Sequence, residues 1–270
     1  MSNIYFKHSR HLTIKYKKYR FAIMLSKSII KYIRSLGTSK NRLQYKSFVV
    51  EGDTIAEEWL ASNHEIEYVL ALDEWILKNK EYINKHPEAK VISVNENELQ
   101  ALSSLKTANK VILSAKMAGD PDKAIAFKQQ WYIALDDIRD PGNMGTIIRI
   151  ADWFGIEQLI CSDNCVDCYN PKVVQAAMGS HLRVKITYGN LNQLLSQSGL
   201  PIYATCLQGQ DIYGLSNIQK GIIVIGNESL GISSDVLALA DKKIRIPAKG
   251  GAESLNAAVS AGIVCALLIR

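Results

Sequence analysis

The chain has 270 residues, 47% hydrophobic and 21% charged, a composition that supports one large folded domain or two modest ones with proper cores. Its best candidate for a membrane span, residues 257–269, contains Ser260 and Gly262 and falls short of the roughly 18 apolar residues a span requires. The net charge of +6 is uneven: residues 1–50 hold twelve Lys and Arg and no acid, leaving 20 of the 32 bases against all 26 acids in the remainder, a net of −6.

A basic front on an acidic body points to a polyanionic partner that presents phosphates, with a solvated basic tail as the plainer alternative. Residues 1–23 are basic and lack a clear period, and they read as a disordered extension. Met24 is an alternative start, and a mitochondrial address is a further alternative, although Lys and Tyr outnumber the Arg and Ser such peptides prefer. No apolar leader run is present, and the five cysteines are an odd number, so a reducing compartment is expected, namely the cytoplasm.

From Ser26 a basic amphipathic helix is predicted, ending near Gly37, with basic residues continuing to Lys46. Lys27, Lys31, Arg34, Lys40, Arg42 and Lys46 form the candidate RNA-binding set. Strands are predicted over 47–53, 66–72, 90–95 and 110–116, separated by helices over 54–63, 73–86 and 96–107. This alternation implies a small α/β domain over 24–118 with a mainly parallel or mixed sheet. The polar, Gly- and Pro-containing stretch that follows supplies a linker over 119–127.

A second α/β domain is expected over 128–270. Strands read at 131–138, 157–162, 201–207 and the starts of 220–233 and 242–251, and helices read over 142–155, 170–184 and 253–269. Three strand ends run into loops of glycine and amide residues: Pro141-Gly142-Asn143-Met144-Gly145, Gly226-Asn227-Glu228, and Gly250 through Asn256. In α/β sheets ligands bind at the carboxyl ends of strands, where glycine permits close backbone approach, so the three loops are expected to converge on one ligand.

In the first loop's helix, Met144, Ile147, Ile148, Ala151 and Phe154 form the apolar stripe and Arg149 falls on the other side, one turn from Gly145. The guanidinium there pairs with Asp152 or Asp140 on the bland reading, or binds a phosphate on the functional one, with Gly145 leaving space beside its stem. Ser254 and Asn256 are candidate helix caps, and Glu228 is a candidate acid at a helix N-terminus. GxGxxG, GxxxxGK[ST] and GxSxG are all missing from the chain. Cys161, Cys165 and Cys168 lack a completing ligand pair and read as structural thiols, so no metal is expected.

The stretches "LDDIRDPGNMGTIIRIADWFG", "IVIGNESLGIS" and "IRIPAKGGAESLNAAVSAGI" together resemble, in order, the three motifs of the SpoU (TrmH-like) RNA 2′-O-ribose methyltransferases of the SPOUT superfamily. The resemblance covers about residues 131–270, and residues 24–117 are more weakly similar to the L30e-like substrate-binding domain that precedes it in many members. It implies an α/β fold with a C-terminal trefoil-knotted methyltransferase domain, S-adenosylmethionine as cofactor, and a homodimer with active sites at the interface. By motif position it implies catalytic roles for Asn143, Arg149, Glu228, Ser254 and Asn256. Backbone at Gly226, Ile246 and Leu255 would hold the cofactor's adenosine, with Thr205 nearby and Asn256 adjoining. "KVVQAAMGSHLRV" departs from the family's pattern at His181-Leu182 and Lys185, outside the three loops.

The expected function is therefore S-adenosylmethionine-dependent methylation of a ribose 2′-hydroxyl, on ribosomal RNA ahead of transfer RNA. The rivals are a non-catalytic RNA-binding module that keeps the fold, base methylation, and a nucleotide-dependent oxidoreductase, the last disfavoured by the missing GxGxxG.

Overall fold

A computed structural model describes residues 25–118 and 125–269. The expected extension over 1–23 and residues 119–124 of the expected linker lie outside the described residues.

The first unit comprises α1 (Lys27–Ser35), α2 (Ser39–Tyr45), β1 (Ser47–Glu51), α3 (Asp53–Ala61), β2 (Ile66–Ala71), α4 (Asp73–Lys78), α5 (Lys80–Ile83), β3 (Lys90–Ser93), α6 (Glu96–Leu102) and β4 (Val111–Lys116). Its sheet has the order β1-β4-β2-β3; β4 is antiparallel to both neighbours, and β2 is parallel to β3. The last strand of the unit thus becomes an inner one. Val111, Leu113 and Ala115 of β4 join the core around Phe48 and Trp59 on one face, while Ile112 packs with Ile33 and Leu99 on the other. This is the two-residue alternation of a strand buried on both sides.

The predicted basic helix is two helices. Leu36 is fully buried at the end of α1, the chain turns at Gly37 and Thr38, and α2 begins at Ser39. The break sends Arg42 inward. Its side chain is 2% exposed, pairs with Asp167 at 2.6 Å and donates to the Leu36 carbonyl at 2.9 Å. Arg42 therefore does not belong to the RNA-binding surface assigned to it by charge alone, whereas Lys27, Lys31, Arg34, Lys40 and Lys46 are exposed.

The second unit comprises β5 (Tyr132–Asp136), α7 (Pro141–Trp153), β6 (Gln158–Ser162), α8 (Pro171–Ala177), a 3-10 turn (Ser180–Leu182), β7 (Lys185–Gly189), α9 (Leu191–Ser196), β8 (Ile202–Asp211), β9 (Ile222–Gly226), α10 (Ser234–Ala238), β10 (Lys242–Arg245) and α11 (Ala257–Leu268). Its six strands are all parallel in the order β10-β8-β9-β5-β6-β7. The chain runs outward from β5 through β6 to β7, then crosses to the other half of the sheet. The switch point lies between β5 and β9, where Asp136 and Gly226 pair at the carboxyl ends, the place where open α/β sheets bind ligands.

Met144, Ile147, Ile148 and Ala151 of α7 are fully buried, as the predicted stripe requires, and pack with Ala261, Val264 and Cys265 of α11. Gly145 has a different role from the one expected. A Cβ there would stand 2.6 Å from both the Val173 carbonyl oxygen and the Ala176 Cβ, so glycine lets α7 and α8 touch backbone to backbone. The space beside Arg149 is not what it provides.

The two units share a packed seam. Val174 of α8 enters the first unit's core, and the Phe48 ring lies 4.5 Å from that of Tyr169. The Arg42–Asp167 pair closes one end of this seam. Removing one partner of such a pair leaves a buried charge uncompensated, which is why it fixes the contact.

Candidate active site

The first loop is rigid before any ligand is considered. Asp137 adopts a left-handed φ of 57°, donates its N–H to Ser162 Oγ at 2.9 Å and accepts from Asn227 Nδ2 at 2.8 Å through its carbonyl. Asp140 then caps α7 by accepting from Asn143 N at 2.8 Å, with Pro141 at the first helical position. A cap of this kind satisfies one of the free N–H groups of the first turn, and proline there loses no hydrogen bond.

That start turns the Asn143 side chain inward, where it is only 9% exposed. Asn143 Nδ2 donates to Glu228 Oε1 from the second loop. Its Oδ1 accepts from Asn256 Nδ2 of the third loop at 2.7 Å. Asn256 Oδ1 in turn accepts from the N–H groups of Ala258 and Val259 at 3.0 and 3.2 Å, capping α11. One chain of amides and a carboxylate thus joins the three loops. The capping reading of Asn256 is correct and incomplete, since the same side chain also holds Asn143.

Glu228 sits in a turn closed by the Asn227–Gly231 bridge, and no helix starts there. Gly226 is required beneath it, because a Cβ would fall 2.4 Å from the Gly231 carbonyl carbon. Asn227 Oδ1 accepts from the N–H groups of Ser229 and Leu230. Asp136, which sequence reasoning missed, is 7% exposed and anchors Ser233 through both its N–H, at 2.8 Å, and its hydroxyl, at 2.7 Å. Its signal was an acid ending an otherwise apolar strand.

Beside this chain opens a cleft of about 620 Å³ whose wall includes Thr205, Gly226, Glu228, Ile246, Ser254 and Leu255, a size typical of small-molecule sites. The cleft exists because β8 leaves its ladder: its pairing with β10 jumps from Ala204–Lys243 to Gln210–Ile244, so residues 205–209 bow outward. Thr205 Oγ1 donates to the Val224 carbonyl at 2.9 Å. Ser254 is exposed at the rim. Asn143, Arg149 and Asn256 lie off this wall, with Asn143 and Asn256 reaching it through Glu228.

Arg149 is exposed and, among the described residues, makes no ion pair. Both acids that the bland reading offered it are engaged elsewhere. Asp140 caps α7, and Asp152 holds Arg183 and Ser180. The Arg183 guanidinium beside Asp152 keeps that carboxyl below the usual carboxylate range.

The other titratable groups belong to the core. His181 is partly buried, donates its Nε2–H to the Cys168 carbonyl at 2.8 Å and stacks on Tyr169; enclosure of its ring pushes it down to about 4, so it is neutral near pH 7. Cys161, Cys165 and Cys168 are buried. A hydrogen bond from Cys161 draws the Cys165 thiol down to about 7, and the same contact raises Cys161. Among the described residues no group of three His, Cys, Asp or Glu is placed to hold a metal, and no helix is long and apolar enough to cross a membrane.

Residues 130–266 match the model of the SpoU rRNA methylase family, and residues 27–113 match an MRM3-like substrate-binding domain. The chain is 28% identical to the Bacillus subtilis 23S rRNA (guanosine(2553)-2′-O)-methyltransferase RlmP, over 87% of this chain and 93% of that protein. Among solved structures, a TrmH-family protein from Porphyromonas gingivalis is 32% identical with a TM-score of 0.81, covering 91% of this chain and 98% of that one. An AdoMet-bound rRNA methyltransferase from Sinorhizobium meliloti is 27% identical with the same TM-score of 0.81, over 91% and 97%.

Proposed function

The chain belongs to the SpoU rRNA methylase family, and on that premise we propose that it transfers a methyl group from S-adenosylmethionine to a ribose 2′-hydroxyl of ribosomal RNA. The observation that carries this reading is the Glu228–Asn143–Asn256 chain, which locks three loops from distant parts of the sequence around one cleft.

The cleft fits the cofactor's chemistry. Leu255 is 46% exposed and Leu230 75% exposed at its wall, apolar surface that an adenosine and thioether would cover. The turns at 226–231 and 246–255 offer backbone donors and acceptors, with Gly226, Ile246, Leu255 and Thr205 holding the adenosine side. When bound, S-adenosylmethionine supplies an activated methyl on a sulfonium, so the protein's part is positioning.

Glu228 engages Asn143 through Oε1, which leaves Oε2 to accept a hydrogen bond from the ribose hydroxyl and orient it. Ser254 at the rim and Asn256 beside it complete the polar edge against the ribose. An arginine stays protonated, so Arg149 holds an RNA phosphate by charge and paired hydrogen bonds. Lys27, Lys31, Arg34, Lys40 and Lys46 on the first unit extend the phosphate contacts.

A homodimer completes the reading. Trp153, one turn beyond Arg149, is 85% exposed, and Val259 on the neighbouring α11 is 50% exposed. Large apolar groups left open on two packed helices suit a second copy of the chain. Trp153→Lys is expected to shift sedimentation to the monomer. The enzyme works in the cytoplasm on this reading.

The test is calorimetric titration with S-adenosylmethionine, using NAD as control and Asn256→Ala as comparison. Saturable binding that the variant weakens supports the three-loop pocket. Nucleoside analysis of ribosomal and transfer RNA after reaction then identifies the substrate, and a modified base in place of a ribose would contradict the assignment.

A further inference from the structure

Asp152 lies three residues after Arg149 on α7, and residues so spaced share a helix face within ion-pair reach. A free carboxylate at that place would compete with RNA for the arginine. It is not free. Arg183 Nε donates to both carboxylate oxygens of Asp152, at 2.8 and 3.0 Å, and Arg183 Nη2 donates to Oδ2 at 2.8 Å. Ser180 Oγ, in a residue only 2% exposed, adds a fourth bond to Oδ2 at 2.8 Å.

The segment that delivers Ser180 and Arg183 is built for this. Met178 and Gly179 are consecutive left-handed residues, at φ 49° and 85°, and they turn the chain sharply after α8. A Cβ on Gly179 would lie 1.9 Å from Glu58 Oε2, so glycine admits a carboxylate from α3 of the first unit. Glu58 Oε1 then accepts from Arg183 Nη1 at 3.0 Å. One guanidinium therefore binds an acid on the Arg149 helix and an acid on the RNA-facing unit.

We infer that Arg183, with Ser180, is a positioning residue for RNA binding: it sequesters Asp152 so that the Arg149 guanidinium stays open to an RNA phosphate. The inference rests on the proposed phosphate role of Arg149. It also gives a use to the turn after α8, which lies outside the three loops. Loss of Arg183 frees Asp152 to fold back onto Arg149 and occupy the guanidinium that the phosphate needs.

The test is a set of variants in the full chain, read by affinity for an unmodified 23S ribosomal RNA transcript at fixed salt, by KM and kcat for methyl transfer to it, and by calorimetric affinity for S-adenosylmethionine. Arg183→Met is expected to weaken RNA binding and raise KM about threefold, the scale of one exposed ion pair, while kcat and cofactor affinity hold. Asp152→Asn alone binds RNA as well as wild type or better, and the Arg183→Met/Asp152→Asn double variant regains wild-type affinity. In an Arg149→Ala background, Arg183→Met has no further effect.

A purely structural clamp predicts the opposite pattern: no rescue by Asp152→Asn, the same threefold loss in the Arg149→Ala background, and an equal loss from Glu58→Gln. Any of these overturns the inference. If Arg183→Met does not fold, Asp152→Asn still decides, since a loss of RNA affinity there contradicts the sequestering role. If Arg149→Ala itself leaves RNA affinity unchanged, the phosphate role has failed and the inference falls with it. An effective Arg149→Ala without rescue overturns the inference alone.

Discussion

The seam between the two units and the loop cluster at the end of the parallel sheet treat polar groups in opposite ways. In the seam, Arg42 and Asp167 neutralise each other, Tyr169 packs on Phe48, and His181 is held uncharged beneath them. At the loops, Asn143 and Asn256 use part of their hydrogen-bonding capacity on each other while Ser254, Leu255 and Arg149 face outward. Mutually paired and packed groups fix the relation of the units; open groups on a hydrogen-bonded frame await a ligand. The two arginines make the contrast sharpest, since the paired one is structural and the open one is assigned to RNA.

The largest expected effect lies in the seam. Asp167→Ala leaves the Arg42 guanidinium buried without its partner, and a loss of about 3 kcal/mol is expected by urea denaturation. An unchanged midpoint would show that the seam does not depend on this pair. Asn143→Ala ranks next and acts at the loops: with Glu228 and Asn256 no longer joined, methyl transfer should fall about 100-fold, the cost of losing one preorganised hydrogen-bonding group. Stability should change little by comparison, which separates the two regions.

His181 gives a pH signature to the seam alone. Its pKa is about 4 in the folded chain against an ordinary 6.5, so the unfolded state binds more protons between those values. Stability from this group is therefore fully present above 6.5 and falls as pH drops toward 4, by about 1 kcal/mol per pH unit. A His181→Asn variant should show a shallower decline over that window, and an identical decline would remove His181 from the explanation. The smallest effect belongs to the exposed cations: Lys31→Ala or Lys40→Ala should each reduce the slope of log affinity against log salt by about one, with similar weakening on all RNA sequences. Arg42→Ala should leave that slope unchanged while destabilising the fold.

Sequence reading served the two regions unequally. The loops were legible because glycine, asparagine and proline at strand ends have few other uses, and the buried stripe of α7 followed from helical spacing. The seam was not legible. Arg42 looks like its neighbours Lys40 and Lys46 until Asp167, 125 positions away, is seen to reach it. Gly145 could be recognised as a small residue, but its reason is the backbone of α8, which spacing on α7 cannot reveal. Strand β7 and helix α9 escaped notice because β7 is a half-exposed edge strand with no apolar run, and α9 buries only Leu191 and Leu195. The helix expected over 170–184 ends at Ala177, since Met178 and Gly179 adopt left-handed backbone to reach Asp152 and Glu58.

The most direct test of the central claim is incubation of the full chain with S-adenosylmethionine carrying a labelled methyl group and unmodified ribosomal RNA, followed by digestion to nucleosides. Label in a single 2′-O-methylnucleoside, absent with Asn143→Ala, is the predicted result. A folded wild-type protein that binds the RNA and leaves every ribose unmodified would contradict it.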